Sequence, residues 1–175
     1  MFNEFSSSTP CQKAIPRCTM PQRRLRKLSF ALALAFFATL AVAATDKSDV
    51  MTTVQKFVDG FNKGDVKALS VTCADQTSII DEFPPHEWHG AGACAKWSDA
   101  YDAWAKKNGI TDGVVTLGAP LHVDVTGDRA YVVVPADYKY KQNGNPVQEI
   151  GSALIIALHK DASGWRIAAW AWSKH

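Results

Sequence analysis

The stretch that decides the fold is residues 121–128, which read LHVDVTGD. Apolar and polar side chains alternate over the first five residues, as in a strand with one buried face, and TGD is typical of a hairpin turn. Three similar runs follow, separated by turn sequences, and they cover residues 130–141, 148–159 and 165–172. The second half of the chain is therefore predicted to be an antiparallel meander.

The sequence ahead of this meander is mainly helical in pattern. An apolar face with a period of 3.6 residues predicts a helix over residues 50–61, and a short capped helix follows at 66–69. After an apolar strand that ends at Ile80, residues 82–90 are predicted to be a loop rich in Pro, His and Trp, and a third helix covers 91–108. Helices followed by long antiparallel strands indicate an α+β fold.

The N-terminal region has the composition of a secretory signal peptide. A basic segment at residues 20–27 precedes an almost unbroken apolar run of 16 residues, which ends in AVA at 41–43. This order predicts translation from Met20 and cleavage after Ala43. The run is short for a membrane span of about 20 residues, so an uncleaved membrane anchor is the lesser alternative. The predicted location is periplasmic or secreted.

Loss of residues 1–43 would change the charge of the chain. The full sequence has a net charge of +2, but six Lys/Arg and one Glu lie in this part, which leaves 13 basic against 16 acidic residues. Neither a nucleic-acid partner nor, after cleavage, a membrane partner is expected. Residues 44–175 are predicted to form a single domain with its own core.

Two cysteines remain in this predicted domain, Cys73 and Cys94. In an oxidising compartment a bond between them would close a loop of about 20 residues and stabilise the fold by about 3 kcal/mol. Two reduced thiols, packed as small hydrophobic groups, fit the sequence equally well.

Asp81 is the main candidate for chemistry. It closes the apolar run at 78–80, where scarce solvent can raise the pKa of a carboxyl group towards a value useful for proton transfer. A solvated strand end is the simpler interpretation. His86 and His89 are candidate proton shuttles beside it. Their spacing is one residue short of the H-E-x-x-H zinc motif and follows two prolines, so no metal site is predicted.

Aromatic side chains are spaced to line a cavity for a flat apolar ligand. By strand parity, Trp170 and Trp172 share one sheet face, opposite Trp165 and Ile167. One pair is predicted to face the helices and the other to lie on an external surface suited to dimerisation. The predicted cavity-lining residues are Phe57, Phe61, Trp88, Tyr101, Trp104, Trp170 and Trp172.

The order of short motifs over residues 48–173 resembles the SnoaL-like, nuclear transport factor 2-like superfamily. The matching pieces are VQKF at 54–57, NKGD at 62–65, CAD at 73–75, TGDRA at 126–130 and GWRI at 164–167. The resemblance implies a cone-shaped α+β barrel, with three N-terminal helices packed on a curved, mainly antiparallel sheet that encloses one pocket. It implies no particular activity, because enzymes, ligand binders and association modules share this scaffold.

Within that superfamily, the resemblance to ketosteroid isomerases places their general-base aspartate at Asp81. Their oxyanion hole consists of a tyrosine and a protonated aspartate. Phe57 stands at the tyrosine position and Ile156 near the acid position, so steroid-type isomerisation is not expected. An enzyme would need another donor opposite Asp81, from Tyr101 or Trp104.

The leading functional prediction is an exported protein that binds a small, mostly apolar ligand without a cofactor. The first alternative is a cofactor-free isomerase, cyclase or dehydratase for a small carbonyl compound, with Asp81 as base and His86 or His89 assisting. The second is an association module that forms a homodimer through the sheet face.

Overall fold

The computed structural model describes residues 46–175. The predicted signal peptide, its cleavage site and the candidate start Met20 lie outside these residues. No helix within them has the length and apolarity needed to cross a bilayer. The elements are helices α1 (46–62), α2 (Val66–Ser70) and α3 (Ala93–Lys107), and strands β1 (Cys73–Ile80), β2 (Glu87–Ala91), β3 (Ile110–Leu117), β4 (His122–Thr126), β5 (Arg129–Gln142), β6 (Asn145–Asp161) and β7 (Gly164–Ser173).

The seven strands of the described residues form one curved, unclosed sheet in the order β2-β1-β7-β6-β5-β3, and β4 also pairs with β5. β1 and β7 are parallel, whereas the other pairs are antiparallel. β5 is long enough to pair with β4 along its first part and with β3 along its second. The predicted α+β class with a curved, mainly antiparallel sheet is confirmed.

The apolar face predicted for α1 is buried against this sheet. Val50 and Val54 are fully buried and Phe57 nearly so. Gly60 allows α2 to approach, because a Cβ atom there would lie 2.8 Å from the backbone nitrogen of Leu69. Asp65 caps α2 by accepting a hydrogen bond from the backbone N–H of Ala68 at 2.9 Å.

Two strands are absent from the sequence-based prediction. Residues 87–91, mostly assigned above to a loop, form β2 and pair with β1. β3 begins directly after α3, and its register against β5 shifts between Thr111 and Val114. This irregularity, together with Gly113 inside the strand, removes the simple alternation by which a strand is predicted.

The predicted parity of β7 is wrong because the strand contains a bulge. Ala157 pairs with Ala169 and Leu158 pairs with Ile167, so Ala168 is the extra residue. One extra residue reverses which side chains face the core beyond that point. Trp165, Ile167 and Trp170 are consequently all buried, and Trp172 packs against the same core. Neither pair lies on an external surface.

The outer face of the sheet carries aliphatic side chains instead. Ile80, Ala171, Ile155 and Val133 are successive neighbours across β1, β7, β6 and β5. Ile80 is 59% exposed. The homodimer through the sheet face stays a prediction, with this row as its candidate surface, and a sedimentation coefficient unchanged by Ile155→Glu would speak against it.

A disulfide joins Cys73 at the start of β1 to Cys94 in the first turn of α3, with a Cα–Cα distance of 6.6 Å. The sequence leaves open whether Cys73 and Cys94 are bonded or reduced, and in the structure they are bonded. The bond fixes the beginning of α3 to the sheet, beside the residues that α3 contributes to the core.

Replacement of both cysteines by alanine is expected to lower the free energy of unfolding by about 3 kcal/mol, because the bond restricts the unfolded chain through a loop of about 20 residues. Urea unfolding of the oxidised protein and of the Cys73→Ala/Cys94→Ala variant measures this difference. A reductant should destabilise the wild type and leave the variant unchanged. Equal stabilities of the oxidised protein and the variant would contradict the expectation.

Candidate functional site

A cavity lies between α1, α3 and the inner face of the sheet. The space open to the centres of water-sized molecules is about 60 Å³, whereas about 10–15 Å³ on this measure holds one water molecule. The cavity therefore has room for a small organic molecule. It is lined by Phe57, Val58, Phe61, Asp81, Glu82, Phe83, Trp97, Tyr101, Trp104, Val115, Tyr138, Leu154, Trp170 and Trp172.

The wall includes Asp81 and six of the seven aromatic residues proposed from the sequence. Trp88 is the exception: it is buried behind the wall, with its ring centroid 5.0 Å from that of Phe83. Phe83, Trp97 and Tyr138 were not proposed. Tyr138 could have been found by alternation, since it follows the buried Val134 and Ala136 on the same face of β5.

Asp81 directly follows β1, and two donors fix its carboxylate. Trp97 Nε1 donates to Oδ2 at 2.8 Å, and the backbone N–H of Glu82 donates to Oδ1 at 2.7 Å. Burial nevertheless raises the pKa of Asp81 from 3.8 to about 6, against the lowering effect of these hydrogen bonds. The nearby charges of Glu82 and Glu149 add to the rise. Asp81 can thus take up or release a proton in mildly acidic to neutral solution.

The two histidines lie outside the cavity wall. His86 is exposed, and its Nδ1 lies 3.2 Å from the backbone oxygen of Asp81, not from the carboxylate. His89 is exposed on β2, with Nε2 3.2 Å from an oxygen of Glu87. Neither imidazole therefore contacts the Asp81 carboxylate.

The hydroxyl groups of Tyr101 and Tyr138 are hydrogen-bonded to each other within the cavity. Burial raises the pKa of both phenols, so both hydroxyls are protonated at neutral pH. One hydroxyl donates to the other, which leaves the acceptor's own proton free for a ligand. Gly113 makes room for this pair, because a Cβ atom there would lie 2.5 Å from the Tyr138 hydroxyl.

The two oxyanion positions expected from the ketosteroid isomerase resemblance carry no polar group. Phe57 lines the cavity, with its ring centroid 5.5 Å from that of Trp170. Ile156 is buried in the core. The hydroxyl pair of Tyr101 on α3 and Tyr138 on β5 supplies a hydrogen-bond donor from a different part of the cavity wall. From the sequence, Tyr101 is proposed as a donor but Tyr138 is not.

The chain belongs to the SnoaL-like domain family, whose sequence profile matches residues 50–174. No curated protein matches it by sequence. Among solved structures, it is similar to a nuclear transport factor 2-like protein with a cystatin-like fold from Novosphingobium aromaticivorans, with a TM-score of 0.66 and 19% identity over 81% of this chain and 89% of that chain.

A ketosteroid isomerase-like protein from Erwinia carotovora atroseptica has a TM-score of 0.60 and 17% identity over 74% of this chain and 95% of that one. A candidate dehydratase of the nuclear transport factor 2-like family from Streptomyces avermitilis has a TM-score of 0.63 and 18% identity over 75% and 98%. At these identities the likeness establishes the shared fold alone.

The raised pKa of Asp81 makes its contribution to stability depend on pH. The folded state binds this proton more tightly than the unfolded state, so the contribution is present at low pH and is lost as pH rises from about 4 to about 7. Relative to the wild type, Asp81→Asn should gain up to about 3 kcal/mol over this window. Urea unfolding at several pH values measures the change.

The matched control is Asp75→Asn, which removes an exposed carboxylate on β1 itself. Its stability relative to the wild type should change much less over the same window. A constant difference between the wild type and Asp81→Asn across the window would contradict the raised pKa of Asp81.

Proposed function

We propose that this protein binds a small, mostly apolar molecule that carries at least one hydrogen-bonding group. The composition of the cavity is the observation that carries the proposal. Its wall is largely aromatic and aliphatic, and the polar groups are concentrated in the Asp81–Glu82 segment and in the hydroxyl pair of Tyr101 and Tyr138. Concave, mostly apolar sites with a few fixed polar groups are typical of ligand recognition.

The apolar part and the polar part of the cavity wall would have different roles in ligand binding. Each buried CH₂ of a ligand contributes about 0.8 kcal/mol, so the aromatic surface supplies affinity for any apolar body of suitable size. A buried polar group left without a partner costs about 1–3 kcal/mol. Asp81 and the tyrosine pair would therefore select molecules that present a donor or acceptor at the matching position.

The proposed location of the protein is periplasmic or secreted. Disulfide bonds persist mainly in oxidising compartments, and the bond between Cys73 and Cys94 is compatible with such an environment. The signal-peptide pattern in residues 1–43 is an independent argument from the sequence.

Native mass spectrometry of the protein purified from its own compartment is expected to reveal a retained small molecule. The small aromatic alcohol phenethyl alcohol, titrated while tryptophan fluorescence is recorded, tests the same cavity with a known probe. Tyr101→Phe should weaken its binding about tenfold, because one hydrogen bond is lost. Tyr131→Phe, at an exposed tyrosine on β5, should bind like the wild type.

Absence of both a retained molecule and any response to the aromatic probe would refute the ligand-binding function. Equal affinities of the wild type and Tyr101→Phe would place the probe away from the tyrosine pair.

The alternative function is proton abstraction from a small carbonyl compound. A base with a pKa of about 6 and a protonated tyrosine pair in one cavity favour this alternative. The Asp81 carboxylate would accept a proton from the carbon next to the carbonyl group. The electron pair of that C–H bond would form a C=C bond while the π pair of the C=O bond moves to the oxygen, and a tyrosine hydroxyl would stabilise the resulting enolate oxygen by a hydrogen bond.

Deuterium exchange into phenylacetone, followed by NMR in heavy water, tests this chemistry without knowledge of the natural substrate. The wild type should accelerate exchange over buffer, and Asp81→Asn should lose at least about a hundredfold of that acceleration. Asp75→Asn serves as the control and should match the wild type. Exchange at the buffer rate in the presence of the wild type would argue against a catalytic Asp81 for ketones of this size.

A further inference from the structure

Three carboxyl groups and one ammonium group lie close together beside the cavity. Asp81 and Glu82 line the wall. Lys174 Nζ bridges Glu82 and Glu149, at 2.7 Å from Glu82 Oε2 and 2.9 Å from Glu149 Oε1. With all four groups ionised, the cluster has a charge of −2. The residues that line the cavity include no lysine or arginine.

Glu149 is the least satisfied member of this cluster. Its side chain is only 10% exposed. Oε1 accepts hydrogen bonds from Lys174 Nζ at 2.9 Å and from the Tyr140 hydroxyl at 3.4 Å. Oε2 is buried and has no hydrogen-bond partner. A buried carboxylate oxygen without a donor costs free energy, which a ligand ammonium group placed to reach both Glu149 oxygens would recover.

Lys174, which forms both ion pairs, is the solvent-facing member of this cluster. Its side chain is 49% exposed, and it follows the last residue of β7. A long lysine side chain at this exposure can turn outward into solvent, where it is well hydrated, once another cation takes its place between Glu82 and Glu149. Burial raises the pKa of Glu82, and the Glu149 carboxylate raises it further, whereas Lys174 opposes both effects. The single ammonium group of Lys174 therefore does not fully offset burial and repulsion at Glu82.

The rest of the wall suits an aromatic body. Phe83 and Trp104 are stacked with ring centroids 5.3 Å apart, and both line the cavity. Aromatic rings favour further aromatic partners in offset-stacked or edge-to-face contacts. A carboxylate ligand would meet two like charges at Asp81 and Glu82, which disfavours it.

We propose that the ligand is a monocationic amine, with its ammonium group held by Glu82 and Glu149 in the place of Lys174 Nζ and its apolar, preferably aromatic, body inside the cavity. Lys174 Nζ is the chain's own stand-in for that ammonium group. This charge preference rests on the ligand-binding function proposed above, because the same cavity holds the apolar body.

Three probes of similar size and different charge test the proposal on the full chain: phenethylamine, phenethyl alcohol and hydrocinnamate. Calorimetric or fluorescence titrations at low ionic strength and neutral pH give their affinities. The amine should bind about tenfold more tightly than the alcohol, because a hydrogen bond between charged groups is worth about 1.5–3 kcal/mol. Hydrocinnamate should bind most weakly.

Two variants distinguish the contribution of the charged cluster to binding from that of the apolar cavity. Glu149→Gln should reduce the preference for the amine over the alcohol about tenfold and leave the alcohol affinity unchanged. Lys174→Met removes the competing ammonium group, so it should strengthen amine binding and leave alcohol binding unchanged. Lys139→Met, at an exposed lysine on β5, changes the net charge equally and should alter neither affinity.

The outcomes distinguish this proposal from the function on which it rests. If the alcohol binds and the amine binds no better, the cavity is a ligand site without the proposed charge preference. If Lys174→Met leaves amine binding unchanged, Lys174 does not occupy the ammonium position. If none of the probes binds and no retained molecule is found, the ligand-binding function itself is refuted. Should Glu149→Gln lose its native near-ultraviolet circular dichroism, Lys174→Met carries the test.

Discussion

The bulge at Ala168 is the constraint on which the candidate site depends. Because of the extra residue, Trp170 turns towards the core on the same side as Ile167. There its ring meets that of Trp97 edge to face, with centroids 4.8 Å apart. Trp97 in turn donates its indole N–H to Asp81. The bulge in β7 therefore influences, through Trp170, the position of the Trp97 indole that binds the Asp81 carboxylate.

The cavity and the charged cluster beside it combine groups that would each be unremarkable on a protein surface. In water a carboxylate, an ammonium group and a phenol are solvated separately, and their mutual attraction is weak. Beside an aromatic wall the same groups lose part of that solvation, so their preference for particular partners becomes stronger. This accounts for the raised pKa of Asp81 and for the importance of the unpaired oxygen of Glu149. The chemical character of the cavity therefore depends on burial as much as on residue type.

The sequence predicted the features that depend on regular local patterns. The apolar face of α1, the alternation of the meander and the position of Asp81 after an apolar run can all be read from the spacing of apolar residues within a single helix or strand. The bulge in β7 could not be predicted in this way, because one inserted residue changes the face of every later side chain. Gly113 and the register shift beside it concealed β3 for a related reason. Lys174 was missed because its partners lie 25 or more residues away.

The parallel pairing of β1 with β7 links residues that are far apart in the chain. The backbone N–H of Ile167, for example, donates a hydrogen bond at 2.9 Å to the carbonyl group of Thr72, which lies just before β1. Contacts of this separation form slowly, because a long loop must close before they contribute. Until residues 164–173 dock, β1 pairs only with β2 and ends at an open edge, and the aromatic wall lacks Trp170 and Trp172. We therefore expect the cavity to assemble late in folding, and a chain without β7 to expose the apolar lining of the cavity.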